Sequence, residues 1–140
     1  MAGEVKSQAV TINPIDSLYR GINPVFYPNG QLTSGVFYLR KKDTLEDGPS
    51  LGIAKLISLT NFQSKIKPTW GVGELSASVP QSLSLTVQPL PDPTWGVHAD
   101  SHAVITNYQK LTDSKRNEAA RALRIALEKN ILVKPQAVAP

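Results

Sequence analysis

The chain has 140 residues, with 15 Lys plus Arg against 11 Asp plus Glu for a formal net charge of +4, and it contains no cysteine. That length suits one domain able to bury roughly two thirds of its unfolded surface without a metal or a disulfide. Lack of cysteine excludes disulfides, thiolate metal sites and cysteine nucleophiles and fits a cytoplasmic setting, and no run nears the ~18 apolar residues of a membrane span or the apolar core of a signal peptide.

With 11 prolines and 9 glycines spread along the chain, secondary structure is expected to be short and turns many. Residues 1–13 read as a loose lead-in, within which Val10-Thr11-Ile12 is a candidate edge strand ended by Pro14. Leu18-Tyr19-Arg20-Gly21-Ile22 reads as the first strand, stopped by Asn23-Pro24 because the residue before proline is driven out of the helical region and proline donates nothing to a ladder. Pro28-Asn29-Gly30 supplies a fixed φ followed by two residues that tolerate positive φ, which predicts a turn. Gln31 to Leu39, with Gly35 in its middle, reads as two short extended pieces or a strand broken by a bulge. Arg40-Lys41-Lys42-Asp43 and Glu46 to Ser50 mark an exposed loop. Leu51 to Ala54 then resumes extended structure, and Leu59 to Lys65 suits a turn or a short helix capped by Thr60.

The stretch from Pro68 to Ile105 organises the chain. It opens with Pro68-Thr69-Trp70-Gly71-Val72 and repeats those residues as Pro93-Thr94-Trp95-Gly96-Val97, so that both tryptophans lie in the repeat. Trp70 to Leu75 reads as a strand, Ser78-Val79-Pro80-Gln81 as a helix start of about a turn, and the alternation Leu83-Ser84-Leu85-Thr86-Val87 as a strand with one buried face. Pro89-Leu90-Pro91-Asp92-Pro93 reads as a stiff connector. Further on, Ser114 to Lys129, capped by Thr112 or Asp113, places Ala119, Ala122, Leu123, Ala126 and Leu127 at helical spacing, and Ile131-Leu132-Val133 reads as a last strand. The boundaries expected are a lead-in over 1–13, one α+β domain over 14–134 and a disordered tail over 135–140. The fold expected is a mostly antiparallel sheet of about five short strands packed against the C-terminal helix.

Three groups of residues carry candidate chemistry. Trp70 and Trp95, each beside a glycine, are candidate platforms on which a sugar, a base or a peptide would stack. His98, Asp100 and His102 alternate, so that in a strand they would share a face with the makings of a metal site; no cofactor or metal is nevertheless expected. Lys115, Arg116, Arg121 and Arg124 give the C-terminal helix a basic face able to follow a phosphate backbone, to which Arg40-Lys41-Lys42 would add. Phosphate loops, nucleophile elbows, H-E-x-x-H and G-x-G-x-x-G are all missing, so the sequence offers no ready enzyme signature.

Two resemblances follow from these residues. Arg20 on a first strand, followed by Thr33-Ser34 near Phe37, looks like the nicotinamide-cofactor pocket of ADP-ribosyltransferase-like proteins, and this implies an acidic or polar residue on a later strand, for which Glu74 is the acidic candidate. Separately, Phe26 to Phe37, together with Pro89-Leu90-Pro91-Asp92-Pro93 leading to His102-Ala103-Val104-Ile105, resembles a group of small bacterial proteins without an assigned activity. In that group the connector and the His-Ala pair are nearly adjacent, whereas here Thr94 to Ser101 intervene. This second resemblance implies no chemistry but draws attention to His102. The reading that results is a non-catalytic binding or accessory protein of a bacterial cytoplasm, acting through a macromolecular partner. Another protein is the expected partner, with nucleic acid bound by the basic helix face, or a second copy of the chain, as further candidates. An ADP-ribosyltransferase-like enzyme centred on Arg20 is the alternative from another class.

Overall fold

A computed structural model describes residues 10–38 and 49–136. Six strands, β1 (Ser17–Ile22), β2 (Ser50–Ile53), β3 (Gly71–Ser76), β4 (Thr86–Pro89), β5 (His102–Thr106) and β6 (Ile131–Val133), form one sheet in the order β4-β5-β2-β1-β3-β6. Every neighbouring pair is antiparallel. Among the described residues three α-helices, α1 (Leu59–Gln63), α2 (Ser78–Ser82) and α3 (Asp113–Glu128), and several 3-10 turns complete an α+β fold, and the sheet there has one strand more than expected. Among the described residues no helix is long and apolar enough to cross a membrane.

Strand alternation divides the side chains of β1 between two layers. Leu18 and Ile22 enter the main core with Leu51, Ile53, Leu75, Ala103 and Ile105, and α3 closes that core with Ala119, Ala120, Leu123 and Leu127. The helical stripe is therefore as the sequence suggests, except that Ala120 is buried in place of Ala122. Thr112 caps α3, its hydroxyl accepting from the Lys115 N–H at 3.2 Å. Tyr19 belongs to the opposite layer, where it packs with Ile57, Phe62, Val72 and Trp95. This smaller layer, formed by α1 and the segment Pro93–Ser101, is the one that leaves room for a cleft.

Several local expectations are corrected. Ser34–Phe37 is a 3-10 turn rather than broken strand: Val36 and Phe37 are both buried in the core that α3 closes, and Arg20 holds the Val36 carbonyl. The Leu32 N–H also donates to Glu128 Oε2 at 3.0 Å, tying this segment to α3. β4 begins only at Thr86, since Ser84 takes φ 63° and ends the turn after α2; Leu85 and Val87 are nonetheless both buried, as the alternation requires. Pro89, read as part of an irregular connector, closes β4 opposite Ala103, a place an edge strand grants to proline. Ser58, not Thr60, caps α1 by accepting from the Asn61 N–H at 3.1 Å. Val10-Thr11-Ile12 forms no strand but packs Val10 and Ile12 on the core. At the other end Pro135 is buried and the Gln136 N–H donates to the Thr69 carbonyl at 3.0 Å. Most of the loop from Arg40 to Ser50, and the tail beyond 136, lie outside the described residues.

Candidate functional site

β1 pairs with β3 along its whole length, from Ser17↔Ser76 to Ile22↔Gly71. Its pairing with β2 runs through Leu18↔Ile53 and Tyr19↔Gly52, and past that register Arg20 and Gly21 meet Ser50 and Leu51 at the edge of a cleft of about 590 Å³. Arg20, buried at 6% exposure, holds this divergence together through its guanidinium. Its Nε and Nη2 donate to the Val36 carbonyl at 3.1 and 2.6 Å, and its Nη1 donates to the Ser50 carbonyl at 2.8 Å. Arg20 Cζ also lies 5.6 Å from the centre of the Phe37 ring. Planar fork geometry lets one side chain bridge β1, β2 and the Ser34–Phe37 turn, which a lysine would not do.

Both copies of the Pro-Thr-Trp-Gly-Val repeat contribute their tryptophan to this one cleft. Identical sequence takes different local structure in each. Trp70 closes a turn by donating its N–H to the Lys67 carbonyl at 3.0 Å just before β3, while Trp95 sits inside the 3-10 segment Pro93–Ser101, which Gly96 kinks at φ 57°. Gly21 leaves the Trp70 side room to approach, since a Cβ there would lie 3.2 Å from Trp70 Cε3. Trp95 stands edge-on to Phe62, with centroids 6.0 Å apart, and edge-on to His102 at 4.9 Å, while Phe62 rests on Tyr19 at 5.5 Å. Burial, and then the Glu74 charge, push the Tyr19 phenol above its ordinary value. Lys65 and Lys67, leaving α1, and Asp92 and Thr94, entering the 3-10 segment, are further lining residues. The Asp92 carboxylate accepts from the Thr94 N–H at 2.9 Å and from the Thr94 hydroxyl at 2.7 Å. Its pKa is lowered by the Thr94 hydroxyl foremost, with the Thr94 N–H and the charge of His102 adding to the effect against a smaller opposing effect of burial.

His102 opens β5 opposite Gly52 and is 8% exposed. Its Nδ1 lies 2.6 Å from the Leu90 carbonyl oxygen, and its Nε2 bonds the Ser50 hydroxyl. The alternation that grouped His98, Asp100 and His102 does not survive folding: His98 and Asp100 lie in the 3-10 segment and only His102 is in a strand. Among the described residues no group of three His, Asp or Glu side chains is placed to hold a metal ion.

Elsewhere the candidate residues disperse. Arg116 donates to the Tyr108 carbonyl at 3.2 Å, to the Leu111 carbonyl at 2.6 Å and to Asp113, so it ties the entry of α3 to the preceding turn. Arg124 pairs with Glu128 at 2.8 Å and Lys115 with Glu118 at 3.2 Å, while Arg121 is exposed. Thr33 and Ser34 line a different pocket, with Arg124 and Glu128, and Glu74 Oε1 accepts from Asn130 Nδ2 at 2.9 Å. Arg20, Thr33-Ser34 and Glu74 thus do not share the cleft. Ser50, Phe62, Lys65 and Asp92 enter the site with no sequence signal of their own; Ser50 and His102 are 52 positions apart and meet only because β2 pairs with β5.

The chain matches no protein-family model, no curated protein and no solved structure.

Proposed function

We propose that this is a binding protein whose cleft takes a nucleotide-class ligand, a planar base carrying phosphate, presented either free or at the end of a single-stranded nucleic acid. The observation that carries this reading is the convergence of Trp70 and Trp95 with Lys65 and Lys67 around one cleft of about 590 Å³. That volume lies in the range of small-molecule sites, rings supply stacking faces, and cations suit a phosphate.

The basic face of α3 is the weaker route to nucleic acid, because Lys115, Arg116 and Arg124 are each engaged with an acidic side chain of their own helix. A protein partner remains the second reading, supported by Val97, 95% exposed on the segment that carries Trp95.

Quenching of tryptophan fluorescence by nucleoside mono-, di- and triphosphates, a nicotinamide dinucleotide and a short single-stranded oligonucleotide tests the reading. Saturable quenching is expected, weakened by at least about fivefold in Trp95→Ala, in line with the ~1–3 kcal/mol of stacking per base. Preference for the oligonucleotide over the free nucleotides would assign the macromolecular source. Charge reversal at Arg121 is expected to leave binding unchanged, and absence of saturable binding at millimolar concentration of every ligand would sink the proposal.

A further inference from the structure

We infer that Ser50 is an activated nucleophile with His102 as its base, which makes the cleft a reactive site for acyl esters. This goes beyond ligand binding and stands whether or not the ligand is a nucleotide.

The argument begins with the Leu90 carbonyl. A carbonyl oxygen only accepts, so at 2.6 Å from His102 Nδ1 it requires the proton on that nitrogen. In the neutral ring this leaves Nε2 with its lone pair directed at Ser50, and the Ser50 hydroxyl must then donate to it. Proton placement is thus set by chemistry: Ser50 Oγ–H to Nε2, Nδ1–H to a main-chain acceptor.

Each member is also held in place. The Leu90 N–H donates to the His102 carbonyl at 3.0 Å, so the acceptor that fixes the tautomer is itself fixed to His102. Trp95 stands against the imidazole edge-on at 4.9 Å. The Ser50 main chain is anchored by Arg20 Nη1 at 2.8 Å. Ser50 and Asp92 both line the cleft, so the hydroxyl meets what binds there and a carboxylate is at hand to favour the imidazolium formed when His102 takes a proton. A nucleophile within hydrogen-bond reach of a base, with the base oriented by a third group, is the arrangement that activates serine. Here a main-chain carbonyl stands where a carboxylate is more often found.

The step it supports is acyl transfer. Ser50 Oγ attacks the ester carbonyl carbon as its proton passes to His102 Nε2. Collapse of the tetrahedral adduct breaks the bond to the leaving alcohol, which takes that proton and departs, leaving an acyl ester on Ser50. Water, giving a proton to Nε2, then attacks the ester carbonyl and releases a carboxylic acid, while the proton returns to Ser50 Oγ.

The experiment is incubation of the intact protein with a small alkyl fluorophosphonate, followed by peptide mass spectrometry. One adduct per chain on Ser50 is expected, formed at least ~100-fold faster than at the exposed Ser58 and slowed by at least ~100-fold in folded His102→Gln. Absence of a Ser50 adduct, or labelling of Ser50 no faster than Ser58, overturns the inference from the wild-type protein alone. An undiminished rate in folded His102→Gln overturns the role of the base and with it the proposal.

Discussion

Gly52 and Phe62 are in a contact that no side chain at position 52 permits, since a Cβ built on Gly52 would lie 2.5 Å from Phe62 Cδ1. The phenyl ring lies against the bare backbone of β2, and from there it supports Trp95 and packs on Tyr19. The packing of the cleft wall therefore depends on one missing methyl group. Gly52→Ala is expected to destabilise the fold by about 1–3 kcal/mol through overpacking and to loosen Trp95 at the same time. Urea unfolding followed by tryptophan emission reads both effects; an unchanged midpoint would show that Phe62 moves aside freely.

Arg20 fills the place where β1 and β2 part. Arg20→Lys keeps the charge but loses the planar fork that reaches Val36 and Ser50 together. The expected cost is about 2–4 kcal/mol, because buried carbonyls lose a charged donor. If denaturant titration gives less than about 1 kcal/mol, within the range of an ordinary exposed substitution, the guanidinium is not the strap described here.

The pH dependence of stability has an identifiable contributor in Asp16. Its pKa lies below the ordinary carboxyl value of 3.8, held down first by the hydrogen bond from Lys55 and then by the Asn13 N–H, each 2.7 Å from Oδ2. A carboxyl whose folded pKa is depressed contributes stability that is present above its unfolded pKa and is lost as pH falls through the folded value. Asp16→Asn is therefore expected to be less stable than the wild type at neutral pH, and the gap should close once pH drops below the folded pKa. Thermal unfolding of both proteins across the acid range checks this, and a gap that widens toward low pH would contradict it.

Helix α3 starts on a side-chain cap. Replacing Thr112 by alanine removes the acceptor for the Lys115 N–H and is expected to cost ~1 kcal/mol, whereas Thr112→Ser should be nearly neutral because it retains the hydroxyl. Thermal melts followed by circular dichroism distinguish the two variants; equal losses would mean that the methyl packing of Thr112 matters rather than its cap.

Elements governed by local chemistry were legible in the sequence. The periodic stripe and threonine cap gave α3 within a residue, Pro28-Asn29-Gly30 gave its turn, with Asn29 at φ 54° and Gly30 at φ 77°, and the apolar runs gave β1, β2, β3 and β6. Gln31 to Phe37 was not legible. Its aromatic and branched residues suit a strand, yet burial of Val36 and Phe37 beneath α3 and capture of the Val36 carbonyl by Arg20 favour a turn. His98-Asp100-His102 misled for a related reason: alternation has meaning only inside a strand, and β5 begins at the last of the three.

The sequence by itself singled out the two tryptophans and pointed to the α+β class, because a short repeat and hydrophobic periodicity are properties of short stretches. Only the tertiary structure decided that Trp70 and Trp95 share a cleft, that Arg20 straps β1 to β2, and that Ser50 meets His102. Those relationships join residues 25, 30 and 52 positions apart, counted as 95 − 70, 50 − 20 and 102 − 50. They come from strand order and register, which are set by which faces bury together across the whole chain rather than by any local pattern.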